Sequence, residues 1–214
     1  MILQSTTTTF GLDLSLTSPC ICVIEPCSSD FIVPIEHCHF HYWSTTKASK
    51  AITHPSFHSY PALANNNDTE RFESIAEWIL SVVGDCQSGG IEGFAFNATG
   101  QITRIAESTG VVKYLLHKYG IPLSIFPPST IKKIATNNGR ASKPQMIDCF
   151  NQCHNVNLYD LFKTTSPASP LSDIADAYFI ACLARGDTLF YEHSTKTHKA
   201  KKRKTKPNDK STDT

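Results

Sequence analysis

The sequence predicts a layered α/β fold, with a mixed five-stranded sheet flanked by helices. Two patterns predict it. Three strand-like runs follow one another over residues 6–44 with short connections, as in an antiparallel meander. From residue 68 onward, stretches of helical periodicity alternate with short apolar runs, the pattern of a sheet layered between helices. The chain has 214 residues, 40% of them apolar, which suits one domain with a real core.

The elements follow in order. Residues 6–15 read as a first strand, rich in Thr and apolar side chains, and residues 19–26 as a second, centred on Cys-Ile-Cys-Val-Ile. Residues 31–44 read as a long third strand bent at Pro34. Residues 45–67 hold Pro, Ser, His and an Asn triplet and read as an exposed loop insertion. Asp68 or Thr69 caps a helix running to about Gly84, with Phe72, Ile75, Ala76, Ile79, Leu80 and Val83 on one face. Gly89-Gly90 breaks the chain before a fourth strand over 91–96. A second helix spans about 99–119 and ends at Gly120. Residues 121–126 form a fifth strand, Pro127-Pro128-Ser129 opens a short helix, and Asn137–Arg140 is a turn. Two further helices span 143–154 and 171–185, separated by a loop at 167–170. The lysine-rich stretch beyond Tyr191 lacks periodicity and reads as disordered. The division is therefore a domain over 1–186 and a basic tail over 187–214.

Composition narrows the function classes. No run of 18 apolar residues exists, so no membrane span is expected. The first residues, Met1-Ile2-Leu3-Gln4-Ser5-Thr6, lack the basic and apolar regions of a signal peptide. An intracellular setting follows, in which the eight cysteines are free thiols. Cys149, Cys153 and His154 cluster on one helix but have no second cluster to complete a zinc site. His37, His39 and His41 alternate along a strand, which would place the outer pair about 13 Å apart at ~3.4 Å per residue. Zinc requires each nitrogen at ~2.1 Å, so one strand cannot present all three. The net charge of +1 divides into +4 from residue 187 onward and −3 before it. Affinity for nucleic acid must then come from local patches, the tail or bound metal ions.

Four carboxylates lie among apolar neighbours: Asp13, Glu92, Asp173 and Asp176. Such groups are seldom buried unless paired or bound to metal. Asp173 and Asp176, three residues apart, share one side of the last helix. Ordinary capping or surface roles are the alternative reading.

Together these segments resemble the RuvC-type Holliday junction resolvases of the RNase H-like nuclease superfamily, over roughly residues 8–186 and in the same order. Gly11-Leu12-Asp13-Leu14-Ser15 resembles the first-strand Gly-x-Asp-x-Ser. Ile91-Glu92 resembles the Ile-Glu of the fourth strand. Ile131-Lys132 followed by Gly139-x-Ala141-x-Lys143 resembles the basic segment, and Asp173-x-x-Asp176-Ala177 the closing Asp-x-x-Asp-Ala. The resemblance implies an RNase H-like three-layer fold and a crossover junction endodeoxyribonuclease. It implies two Mg²⁺ ions per site, with Mn²⁺ an alternative, held by Asp13, Glu92, Asp173 and Asp176. Asp13 would bridge both ions. Lys143 would approach the scissile phosphate, with Lys132, Lys133 and Arg140 as further DNA contacts; for Lys143 the alternative is a solvated helix-start lysine. The products would be paired symmetric nicks with 5′-phosphate and 3′-hydroxyl ends.

The implied partners are branched DNA, four-way junctions and a second copy of the chain. In relatives the helix matching 101–119 helps form a two-fold dimer; here its stripe is Ile102, Ile105, Ala106, Thr109, Val112 and Leu116. Packing on its own sheet is the alternative for that stripe. The chain departs from the pattern in three places. Asn137 stands where many relatives have glycine, though Asn tolerates positive φ. The 45–67 insertion is longer. Ala95 occupies the position of an aromatic, flanked by Phe94 and Phe96, either of which would stack on a base or fill the core. The basic run Lys199–Lys206 matches either a nuclear import signal or a phosphate-binding tail. Competing classes are an RNase H-like nuclease for other branched DNA or RNA–DNA hybrids, and a non-catalytic nucleic-acid-binding module. An actin-like or sugar-kinase-like ATPase would need a second such domain and phosphate-binding glycine loops.

Overall fold

The computed structural model describes residues 7–27, 32–44, 52–62, 64–65, 67–94 and 102–187. Its strands are β1 (Thr9–Asp13), β2 (Cys20–Ile24), β3 (Cys38–Ser44), β4 (Phe57–Pro61), β5 (Ser88–Glu92) and β6 (Leu123–Phe126). Its α-helices are α1 (Asp68–Val83), α2 (Ile102–Lys118), α3 (Pro128–Thr136), α4 (Lys143–His154), α5 (Leu158–Leu161) and α6 (Leu171–Arg185). One six-stranded mixed sheet has the order β4-β3-β2-β1-β5-β6. β1, β2 and β3 form the antiparallel meander, while β5 runs parallel to β1 and β6 parallel to β5.

Strand alternation divides the core into two layers. Cys20, Cys22 and Ile24 of β2 face α3, α4 and α6. Ile21 and Val23 face the other side with Phe10 and Leu12 of β1, against α1 and α2. Helix α6 is buried almost all round, which explains why it shows no polar stripe. Among the described residues no helix is long and apolar enough to cross a membrane, and all eight cysteines are free.

Among the described residues the sheet has six strands rather than five. The extra strand, β4, lies inside the 45–67 insertion and pairs parallel to β3 at the sheet edge. Its sequence, Phe-His-Ser-Tyr-Pro, alternates as an edge strand should, and its proline comes last, where no further ladder bond is needed. Phe57 stacks on Phe40 with ring centroids 4.9 Å apart, and Phe40 also meets Phe150 of α4 at 5.4 Å. Replacing Phe40 with alanine is expected to cost about 3–5 kcal/mol, read as a lower midpoint in denaturant.

Other boundaries move for local reasons. The third strand starts at Cys38, because Pro34 leads into a 3-10 turn, Ile35–His37. His37 therefore lies off the strand. His39 and His41 remain on it, where His41 stacks on His58 of β4 at 4.7 Å and His39 pairs with Glu25 at 3.1 Å. Helix α1 is capped by Asn67, whose side chain accepts from the Glu70 N–H at 2.9 Å. Asp68 instead binds the Arg104 guanidinium of α2. The loop before α6 contains the short helix α5. The basic run Lys199–Lys206, Ala95 and Phe96 lie outside the described residues.

Gly89 and Gly90 do not break the chain; they lie inside β5. A Cβ on Gly89 would sit 2.1 Å from the Phe10 ring, and one on Gly90 would sit 2.6 Å from Phe126. Large side chains from neighbouring strands occupy the space that the glycines leave. Glu92 is consequently the last residue of β5, not an early one.

Candidate active site

Two glycines decide which face of the sheet the carboxylates share. Gly11 of β1 and Gly90 of β5 are register partners on adjacent parallel strands. A Cβ on Gly11 would fall 2.2 Å from the Ala177 carbonyl oxygen and the Ala181 nitrogen. A Cβ on Gly90 would fall 3.0 Å from a methyl carbon of Ile180. Helix α6 thus rests directly on strand backbone. Residues two apart in a strand share a face. Asp13 follows Gly11 by two and Glu92 follows Gly90 by two, so both carboxylates lie on the α6 side. Asp173 and Asp176 come from the half of α6 that precedes the contact at Ala177.

The electrostatics follow the same grouping. Burial, then the charges of Asp173, Asp176 and Glu92, push the Asp13 carboxyl well above the usual range, while Lys143 opposes them. Burial, Glu92 and Asp173 push Asp176 up to about 7, against the pull of Lys143 and Lys132. Burial raises Glu92 also, again opposed by Lys132 and Lys143. Like charges in a half-buried place repel one another, and Asp13, Glu92 and Asp176 each hold their protons more tightly. Their stability effect has a definite sign. A carboxyl raised in the fold costs nothing below its unfolded pKa; its cost grows as pH rises and is complete above the folded value. For Asp176 that window runs from 3.8 to about 7. Asp176→Asn should therefore raise the melting temperature of the metal-free protein more at pH 8 than at pH 5. Equal gains at both values would remove Asp176 from the repulsive cluster.

Asp173 is held differently. It is only 8% exposed. Its Oδ1 accepts from Ser172 at 2.9 Å, and its Oδ2 accepts from Ser18 at 3.2 Å and from Ser169. None of these serines stands out in the sequence, because they come from two loops and a helix that only folding brings together. The sole hint is their proximity to Asp13 and Asp173 along the chain.

The basic residues separate into two pairs. Lys143 is the first residue of α4, after Ser142, whose N–H donates to Gln145 Oε1 at 2.9 Å. Its Nζ lies 3.4 Å from Ser172 Oγ. Lys132 is half-buried on α3, and its charge reaches Glu92 and Asp176. Lys133 and Arg140 are exposed. The turn between the two helices holds with Asn137 at φ 57°, its N–H bonding the Lys133 carbonyl.

The donor set suits a hard cation: carboxylate oxygens that burial and mutual repulsion leave short of counter-charge. Among the described residues no three His, Cys, Asp or Glu side chains already converge as a finished metal site. The four carboxylates share a field rather than a common point. Beside Glu92 lies an apolar groove of about 870 Å³, lined by Gly93, Phe94, Ile102, Ile125, Pro127 and Gly139 among others. Phe94 is 45% exposed there, so it does not fill the core.

No family model matches the chain. The crossover junction endodeoxyribonuclease RuvC of Prochlorococcus marinus (strain NATL1A) is 28% identical over 120 residues, 55% of this chain and 72% of that protein. The corresponding protein of strain MIT 9211 is 27% identical over 122 residues, 56% and 72% of the two chains. Among solved structures, Thermus thermophilus RuvC matches with a TM-score of 0.52 and 16% identity, over 81% of this chain and 90% of that one. T. thermophilus RuvC in complex with a Holliday junction substrate matches with a TM-score of 0.56 and 15% identity, over 82% and 90%.

Proposed function

We propose that the chain is a RuvC-type member of the RNase H-like superfamily, a metal-dependent endonuclease that resolves four-way DNA junctions. The observation that carries the reading is the seating of α6 on Gly11 and Gly90, which gathers Asp13, Glu92, Asp173 and Asp176 from three elements. The relatives are named as crossover junction endodeoxyribonucleases, and one matched structure holds a junction.

Asp13, Glu92, Asp173 and Asp176 would hold the metal, Mg²⁺ or Mn²⁺. A phosphodiester repels nucleophiles with its own charge, and two divalent ions at this place would activate water and stabilise the leaving oxygen. The chain's own residues supply the rest. The carboxylates sit at the strand ends and the start of α6, with Asp13, Glu92 and Asp176 partly exposed. Lys143 and Lys132 face the carboxylates and would meet the phosphate oxygens as charge develops on them. Lys133 and Arg140, exposed nearby, would extend the contact along the DNA backbone. Cuts would leave 5′-phosphate and 3′-hydroxyl ends.

Paired symmetric nicks need two sites related by a two-fold axis, so a homodimer is part of the proposal. Of the sequence stripe on α2, Thr109, Val112 and Leu116 are buried, Ile102 and Ile105 are half-buried and Ala106 is exposed. Val112 and Leu116 lie in the chain's own core, shared with α1, and Ile105 packs against that core. The outer face carries Val111 and Tyr114, three residues apart, with Tyr114 66% exposed.

The function is tested with a labelled four-way junction and a linear duplex of the same arms, in Mg²⁺ or EDTA. Paired nicks on the junction alone, and only with Mg²⁺, are expected. Equal cutting of the duplex would discard junction selectivity. Binding without cutting would favour the non-catalytic module.

A further inference from the structure

Asp173 differs from the other three carboxylates in its partners. It takes hydroxyl donors from three places: Ser18 in the loop after β1, Ser169 in the loop before α6, and Ser172 on α6 itself. Ser18 is itself braced, its N–H donating to Ser15 Oγ at 3.2 Å. Ser172 is 1% exposed, so its hydroxyl has little access to water. A carboxylate oxygen has about two lone-pair sites. Oδ2 of Asp173 receives two donors and is full. Among the described residues Oδ1 receives only one and keeps a site free. Ser172, which donates to Oδ1, also lies 3.4 Å from Lys143 Nζ.

We infer that Ser18 and Ser169 are positioning residues that saturate Oδ2 of Asp173, so that this carboxylate offers a divalent cation only Oδ1, while Ser172 connects that oxygen to Lys143. The inference rests on the metal-dependent reading of the site. Asp173 then acts as a fixed one-oxygen ligand, and its hydroxyl cradle sets which oxygen faces the cluster. Outer partners of this kind typically carry a 10–100-fold effect on metal affinity or activity when removed. Losing both hydroxyls frees the carboxylate to rotate, and the aligned oxygen is lost for much of the time. The serines themselves touch neither metal nor DNA in this scheme.

The test uses the full chain, with Mn²⁺ binding followed by calorimetry in the absence of DNA and junction cleavage measured separately. Ser18→Ala with Ser169→Ala should weaken Mn²⁺ binding about 10-fold. It should lower kcat by a similar factor and leave KM for the junction within about twofold. Ser169 is exposed, so Ser169→Thr has room, keeps a hydroxyl and should restore most of the loss seen in Ser169→Ala. The melting temperature of each variant, measured without metal, separates positioning from unfolding. Mn²⁺ affinity unchanged or tighter in the folded double variant would overturn the inference while the nuclease reading stands. No Mn²⁺ binding by the unsubstituted chain would overturn the metal-dependent reading and the inference with it.

Discussion

Asp13→Asn lowers junction cleavage at least about 1,000-fold, the scale of several kcal/mol of lost transition-state stabilisation, and leaves junction binding within a few-fold. Asp13 is the carboxylate on which the other three act: Asp173, Asp176 and Glu92 all raise its pKa, after burial. Asparagine keeps the shape and one acceptor oxygen but gives up the charge that a cation needs. The same change removes a buried charge from a repulsive group, so the metal-free protein should melt higher, not lower. Loss of cleavage with a raised melting temperature is a signature that misfolding cannot imitate. Cleavage retained within tenfold would take Asp13 out of the site.

Gly11→Ala produces the second large effect, and through geometry rather than charge. The new methyl would lie 2.2 Å from backbone atoms of Ala177 and Ala181, and backbone cannot swing aside as a side-chain tip can. Helix α6 must lift from the sheet. We expect a stability loss of about 3 kcal/mol, the upper part of the usual overpacking range, seen as a melting temperature lower by roughly 10 °C. Cleavage should fall about 100-fold even well below that temperature, since an ångström of displacement in a positioned group costs that much. Asp173 and Asp176 would move away from Asp13 and Glu92 as one body. A variant of unchanged stability and activity would mean that the glycine contact does not set the site.

The carboxylate-bearing segments were legible because each is short, local and distinctive. Gly-x-Asp on a strand and Asp-x-x-Asp on an apolar helix describe their own geometry. The face they share was less legible. It depends on what faces the glycines, and only the packing of α6 reveals that Gly11 and Gly90 are seats. Gly89-Gly90 looked like a break because glycine usually is one; the Phe10 ring over Gly89 makes it strand. β4 was hidden in a segment rich in Pro, Ser and His, since an edge strand needs only one paired side and one apolar face. The α2 stripe is legible as one helix face, but helical periodicity does not say whether the neighbour is the chain's own core or a partner. The serine cradle had almost no sequence signal beyond its nearness to Asp13 and Asp173, because Ser18 and Asp173 are 155 residues apart.

The most direct test is anomalous diffraction from crystals of the chain grown with Mn²⁺, collected at the manganese edge. The account predicts anomalous density bounded by the carboxylates of Asp13, Glu92, Asp173 and Asp176, with Asp173 approaching through Oδ1. Manganese bound elsewhere on the protein, with none among these four side chains, would contradict it.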